Sequence, residues 1–171
     1  LLATPDKAPA LNNDKQNAAA EDASLELWFN HAYINNPAED ITSTGWNSYQ
    51  LRLAKNESEG THMFLVSKEG HNGLTVSVTP FKNADGAELG TVLMYGYYFD
   101  DVEGKTLVDP IPWVKDGQTF DLAADRSYMY IVKATSYLDT PAGIYTATVT
   151  VKDASGNEIK KATVSAYVWN F

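Results

Sequence analysis

The chain contains no cysteine, which removes disulfides and thiolate chemistry and fits a secreted module that needs no redox staple. Histidine is scarce: His31, His62 and His71 stand far apart without metal-ligand spacing, so ordinary polar roles are expected of them. Positive charge is also in short supply, with 13 Lys and Arg against 22 Asp and Glu, a net charge of −9 and a pI near 4.7. Such a surface repels phosphate backbones and argues against nucleic-acid and anionic-membrane partners. No apolar run approaches the roughly 20 residues that span a bilayer, so membrane insertion is not expected. No signal peptide, internal repeat or convincing long helix is visible either.

What the sequence does have is alternation. From Ile144 onward, Tyr145, Ala147, Val149 and Val151 share one face, while Ile144, Thr146, Thr148 and Thr150 share the other. Period-2 spacing rich in β-branched residues marks a half-buried strand. Before it, Asp139 to Gly143 reads as a sharp reversal shaped by Pro141 and Gly143. After it, Lys152 to Asn157 makes a polar turn into a strand that places Ala162, Val164, Ala166 and Val168 together. Upstream, strands are expected at 24–30, 49–53, 61–67, 74–78, 90–100 and 128–135. Asn83-Ala-Asp85-Gly86 is a strong turn, and residues 101–121 read as mostly loop. About eight strands without a helix predict an all-β chain, an antiparallel sandwich of jelly-roll or immunoglobulin-like type. Residues 1–23 read as a flexible linker or processed N-terminus, and 24–171 as one sandwich domain. With 44% apolar residues, the chain can build a real core.

Four segments carry a resemblance. They are Asp139 to Val151 with the terminal Val168-Trp169-Asn170-Phe171, Lys55 to Glu59, Asp109 to Pro112, and the Tyr97-Tyr98 strand. Together they resemble the β-sandwich domain that precedes the catalytic barrel in bacterial proteins related to glycoside hydrolase family 123. The resemblance implies an accessory domain, because the family's catalytic acidic pair lies in the barrel that follows the sandwich.

Reactive constellations are missing from the residues themselves. Glycoside hydrolysis needs two carboxyl groups about 5–10 Å apart across one bond. The pairs present, Asp100-Asp101 and Glu57/Glu59, read as strand ends and turn decoration, since neighbouring strand residues point to opposite faces. Asp153-Ala-Ser155-Gly-Asn157-Glu158 spaces oxygen ligands as some calcium loops do, but it lacks a full twelve-residue loop and suits a plain hairpin turn. The expectation is a non-enzyme without cofactor.

Binding through aromatics is what remains, with ten Tyr, six Phe and four Trp to supply it. The C–H face of a sugar ring is apolar and slightly positive, complementary to an aromatic π face. Trp46 lies in Ser43-Thr-Gly-Trp-Asn-Ser48, and Trp113 follows Pro112 in another polar loop. Tyr97 and Tyr98 come from the aromatic strand, and Trp28 from the polar side of the first strand. Each has a packing alternative: a loop Trp caps sandwich ends, and Trp28, Tyr97 and Tyr98 suit inter-strand packing. The expected function is a non-catalytic carbohydrate-binding module of an extracellular bacterial polysaccharide-degrading protein, its partners a polysaccharide or oligosaccharide and the neighbouring domains of a longer chain. The rival is a spacer that packs against a neighbour through Val168 to Phe171 and binds nothing.

Overall fold

The computed structural model describes residues 22–33, 36–100, 103–104, 106–109 and 111–171. The expected linker over residues 1–23 therefore falls almost wholly outside the described residues. Among the described residues there are eleven strands rather than about eight: β1 (Leu25–His31), β2 (Ser48–Leu53), β3 (Ser58–Ser67), β4 (His71–Val78), β5 (Gly90–Tyr95), β6 (Tyr98–Asp100), β7 (Thr106–Val108), β8 (Thr119–Leu122), β9 (Arg126–Thr135), β10 (Gly143–Lys152) and β11 (Glu158–Val168). They form a four-stranded sheet ordered β1-β3-β9-β5, a five-stranded sheet ordered β2-β11-β10-β4-β8, and a small β6-β7 ribbon. The all-β sandwich stands. It is mixed rather than purely antiparallel, because β2 runs parallel to β11.

The alternation read in the last hairpin is the core. Tyr145, Ala147, Val149 and Val151 of β10, and Ala162, Val164, Ala166 and Val168 of β11, are all buried. They meet Phe29, Met63, Leu65, Tyr130 and Val132 from the facing sheet. The reversal before β10 is tied by Tyr145, whose hydroxyl donates to the Pro141 carbonyl at 2.7 Å. Gly143 there has φ of 140°, a backbone region that a side chain would strain.

The outer face of the four-stranded sheet is also covered, which the sequence pattern hides. Trp28, Phe64, Val66 and Met129 form a second buried cluster, and Tyr98, Val108 and Ile111 close over it from the ribbon and the following loop. The expected continuous aromatic strand over 90–100 breaks for this purpose at Gly96-Tyr97. A Cβ on Gly96 would lie 2.5 Å from Val108 Cγ1 and 2.7 Å from Met129 Cε, so only glycine lets the chain cross here without displacing neighbours. The region read as loop from 101 to 121 likewise contributes β7 and β8.

Candidate functional site

Beyond β5, residues 112–114 extend the four-stranded sheet by one short rung. The Tyr95 amide donates to the Pro112 carbonyl at 3.0 Å, the Val114 amide donates to the Leu93 carbonyl at 2.9 Å, and Trp113 bridges Met94. Proline is tolerated because this rung is an edge. Val114 packs against the core, and in an extended segment that sends the neighbouring Trp113 the other way. Trp113 is 71% exposed. The turn that follows is internally braced: the Gln118 amide donates to the Lys115 carbonyl, and the Lys115 amide donates to Gln118 Oε1, each at 3.0 Å.

Trp113 shares a hollow of about 440 Å³ with Tyr97, Pro112 and the Lys115–Gln118 turn. Tyr97 is 44% exposed and stands edge-on to Tyr95, with ring centroids 4.8 Å apart. A second hollow of about 360 Å³, lined by Thr75, Ser77, Thr91 and Lys152, uses the same turn as its wall. Two exposed aromatic rings, one amine, one carboxylate and one amide thus border a shallow groove. That donor and acceptor set suits hydroxyl-rich ligands stacked on a ring face.

Trp46 belongs elsewhere. Its carbonyl accepts from the Phe29 amide at 2.8 Å, and Thr44 Oγ1 donates to the Phe29 carbonyl at 2.7 Å, so residues 44–46 lace onto the free edge of β1. Trp46 is half-buried against His31, at 5.1 Å and 79° between rings, and against Tyr49 at 6.2 Å. These rings with Gln50, Arg52 and Glu59 line a cleft of about 300 Å³. Burial first, then the Tyr33 and Glu59 charges, push the Tyr49 phenol up. Burial and the Glu57 charge push the Glu59 carboxyl up as well.

Of the five aromatics expected to bind, the structure brings Trp113 and Tyr97 together and sets Trp46 at the opposite edge of the sheet. Trp28 is a correction. It is 1% exposed and stacks on Phe64 at 5.9 Å beneath the ribbon, so it offers no face to a ligand. Tyr98 is half-buried in the packing over that cluster, its hydroxyl 3.5 Å from the Asn36 carbonyl. Sequence reading missed His31, Tyr49, Gln50, Arg52 and Glu59. The alternation of Gln50 and Arg52 opposite Leu51 and Leu53 was a usable sign, but nothing local told that β2 lies beside His31.

Among the described residues, no three His, Asp or Glu side chains converge as metal ligands would. In the turn weighed for calcium, Asp153 spends both oxygens locally: Oδ1 accepts the Ser155 and Asn157 amides at 2.9 and 2.8 Å, and Oδ2 accepts Asn157 Nδ2 at 2.9 Å.

No protein-family model matches the chain, and no curated protein does. Solved structures do. A family 123 glycoside hydrolase from Clostridium perfringens, studied for glycolipid glycan hydrolysis, matches with a TM-score of 0.65 at 11% identity, over 86% of this chain and 28% of the hydrolase. The CooA pilin subunit from enterotoxigenic Escherichia coli matches at 0.44 and 10% identity, over 83% of this chain and 96% of the pilin. MyfA, the major subunit of Myf fimbriae from Yersinia enterocolitica, matches at 0.42 and 14%, over 85% and 98%. The two fimbrial likenesses are too weak to bear on function. The chain spans little more than a quarter of the hydrolase, and what it shares with that part is the fold.

Proposed function

We infer that this domain is a non-catalytic carbohydrate-binding module from an extracellular bacterial polysaccharide-degrading protein. Its ligand is a glucan such as starch or a plant cell-wall polysaccharide, held on Trp113 and Tyr97. One observation carries the reading: a tryptophan 71% exposed, fixed on a sheet edge by two flanking backbone hydrogen bonds, borders a groove with Lys115, Asp116 and Gln118. Leaving so large an apolar ring in water costs solvation that burial would recover, and a sugar face offers that burial. The fold shared with part of a glycoside hydrolase agrees with an accessory role beside such an enzyme. Affinity electrophoresis in gels containing soluble starch, xylan or mixed-linkage β-glucan tests it. Retardation on at least one gel, abolished in Trp113→Ala, is expected. A wild-type protein that runs unretarded on all three ends the proposal.

The spacer reading has its own observation. Tyr167, Trp169 and Phe171 form an aromatic ladder, Tyr167 to Trp169 at 4.9 Å and Trp169 to Phe171 at 5.8 Å, with Phe171 66% exposed. Ile144, the cross-strand partner of Tyr167, is 49% exposed. This patch would pack against a neighbouring domain. Trp169 fluorescence that shifts to the blue when the neighbouring domain is present supports that reading, and an unchanged spectrum removes it.

A further inference from the structure

The two loop tryptophans lie on nearly one line across the four-stranded sheet. Phe29 of β1 pairs with Met63, Met63 with Tyr130, and Tyr130 with Tyr95. Trp46 is hydrogen-bonded outside Phe29, and Pro112, beside Trp113, is hydrogen-bonded outside Tyr95. Five spacings of about 4.8 Å separate the two flanking rungs by roughly 24 Å. The Trp46 cleft is therefore a separate place, with four strands between it and the Trp113 groove.

That cleft has the composition of a ligand site and an unmet need. Gln50 Oε1 is shielded from solvent and has no hydrogen-bond partner among the described residues. A shielded acceptor without a donor is costly, so an arriving O–H gains more there than at an exposed amide. Arg52 and Glu59, both lining the cleft, enter no ion pair among the described residues. The Glu59 carboxylate accepts a hydrogen bond from the Gly60 amide and keeps further acceptor capacity. The Tyr49 hydroxyl, by contrast, is fixed by His31 Nδ1 at 2.6 Å, which holds the aromatic wall in place.

We propose that the Trp46 cleft is a second sugar-binding site, taking one pyranose residue with its apolar face on Trp46 and a hydroxyl donated to Gln50 Oε1. Arg52 donates to, and Glu59 accepts from, the neighbouring hydroxyls. The proposal rests on the carbohydrate reading of the Trp113 groove for its ligand class. It adds that the domain engages two glycan segments at once and links chains rather than merely adhering to one. Multivalent attachment of this kind raises avidity only where both sites can be reached together.

The indole N–H resonances of the wild-type protein test this without mutation. In a titration with maltoheptaose, xylohexaose and cellohexaose, the Trp46 and Trp113 signals are expected to shift with separate saturation, while the buried Trp28 signal stays fixed. Gln50→Leu, which supplies no acceptor, is expected to weaken the Trp46 response at least tenfold and leave that of Trp113 unchanged. Trp46 shifting alone sustains the cleft as a sugar site but removes the Trp113 site and overturns the linking of two glycan segments. Trp113 shifting alone, at ligand concentrations that saturate it, overturns the cleft and leaves the first reading standing. If neither indole responds to any of the three sugars, both fall.

Discussion

His71 Nε2 lies 2.9 Å from Asp22 Oδ2, while His71 Nδ1 lies 2.8 Å from Ser67 Oγ, so one imidazole ties the segment leading into β1 to the end of β3. Ser24 completes the arrangement by donating its hydroxyl to Asp22 Oδ1 at 2.7 Å and its amide at 2.8 Å. The Ser24 hydroxyl first, and His71 second, hold the Asp22 carboxyl down at about 2 from an ordinary 3.8. A depressed carboxyl stabilises the fold above its unfolded value, and that stability is lost as pH falls through the folded value. The wild-type melting temperature is therefore expected to fall between pH 4 and pH 2. Asp22→Asn should melt lower at pH 6 and show a shallower decline in that window. Parallel pH profiles for the two proteins would discard the assignment.

The tryptophans should divide by burial. Trp113→Ala removes a ring that stands in water and is expected to leave stability within about 0.5 kcal/mol. Trp28→Ala empties a closed cluster and is expected to cost about 3–5 kcal/mol. Urea unfolding of the two variants measures both. Equal losses would place Trp113 in the packing and take away the motive for a platform.

Tyr130 presents the opposite case, a core residue expected to improve on shortening. Its ring is fully buried among Tyr95 and Phe120, and its hydroxyl finds no hydrogen-bond partner among the described residues. Burial pushes its phenol well above the ordinary range. Tyr130→Phe removes a desolvated polar group and is expected to gain about 1 kcal/mol. The readout is a higher urea midpoint at unchanged slope. A loss of similar size would show the hydroxyl to be bonded after all.

Gly96→Ala places a methyl against Val108 and Met129, and Val108 is stiff about χ1. Overpacking of this kind costs about 1–3 kcal/mol. Because Val108 is part of the cover over Trp28, the ribbon should lift and the Trp28 emission move to the red. An unshifted spectrum with unchanged stability would mean that the ribbon has slack.

How much of this could be read beforehand differs between the elements. The β10–β11 hairpin was legible residue by residue, because one-sided burial writes itself as alternation. The second cluster was not, since β3 is buried on both faces from Thr61 to Ser67 and its cover comes from residues broken by Gly96 and scattered through a proline-rich stretch. Trp28 accordingly read as part of the polar side of its strand with Glu26, open to packing or to a ligand. At the sites, Trp46 stood out among small polar residues and Trp113 as a loop aromatic after Pro112. That Trp113 would meet Tyr97, and Trp46 would meet His31 and Tyr49, depends on which strands become sheet edges, and no local pattern encodes that.

The parallel pairing of β2 with β11 sets an order of events. Tyr49 and Ser165, joined by a hydrogen bond from the Ser165 hydroxyl to the Tyr49 carbonyl, are 116 positions apart in sequence. Closing so long a loop is entropically expensive, whereas β10 and β11 meet across a short turn. In refolding followed by pulsed hydrogen exchange, the β10–β11 amides should gain protection before those of Ser48 to Leu53. The cleft that holds Tyr49, Gln50 and Arg52 would then be the last part of the sandwich to exist, and the first to open when it loosens.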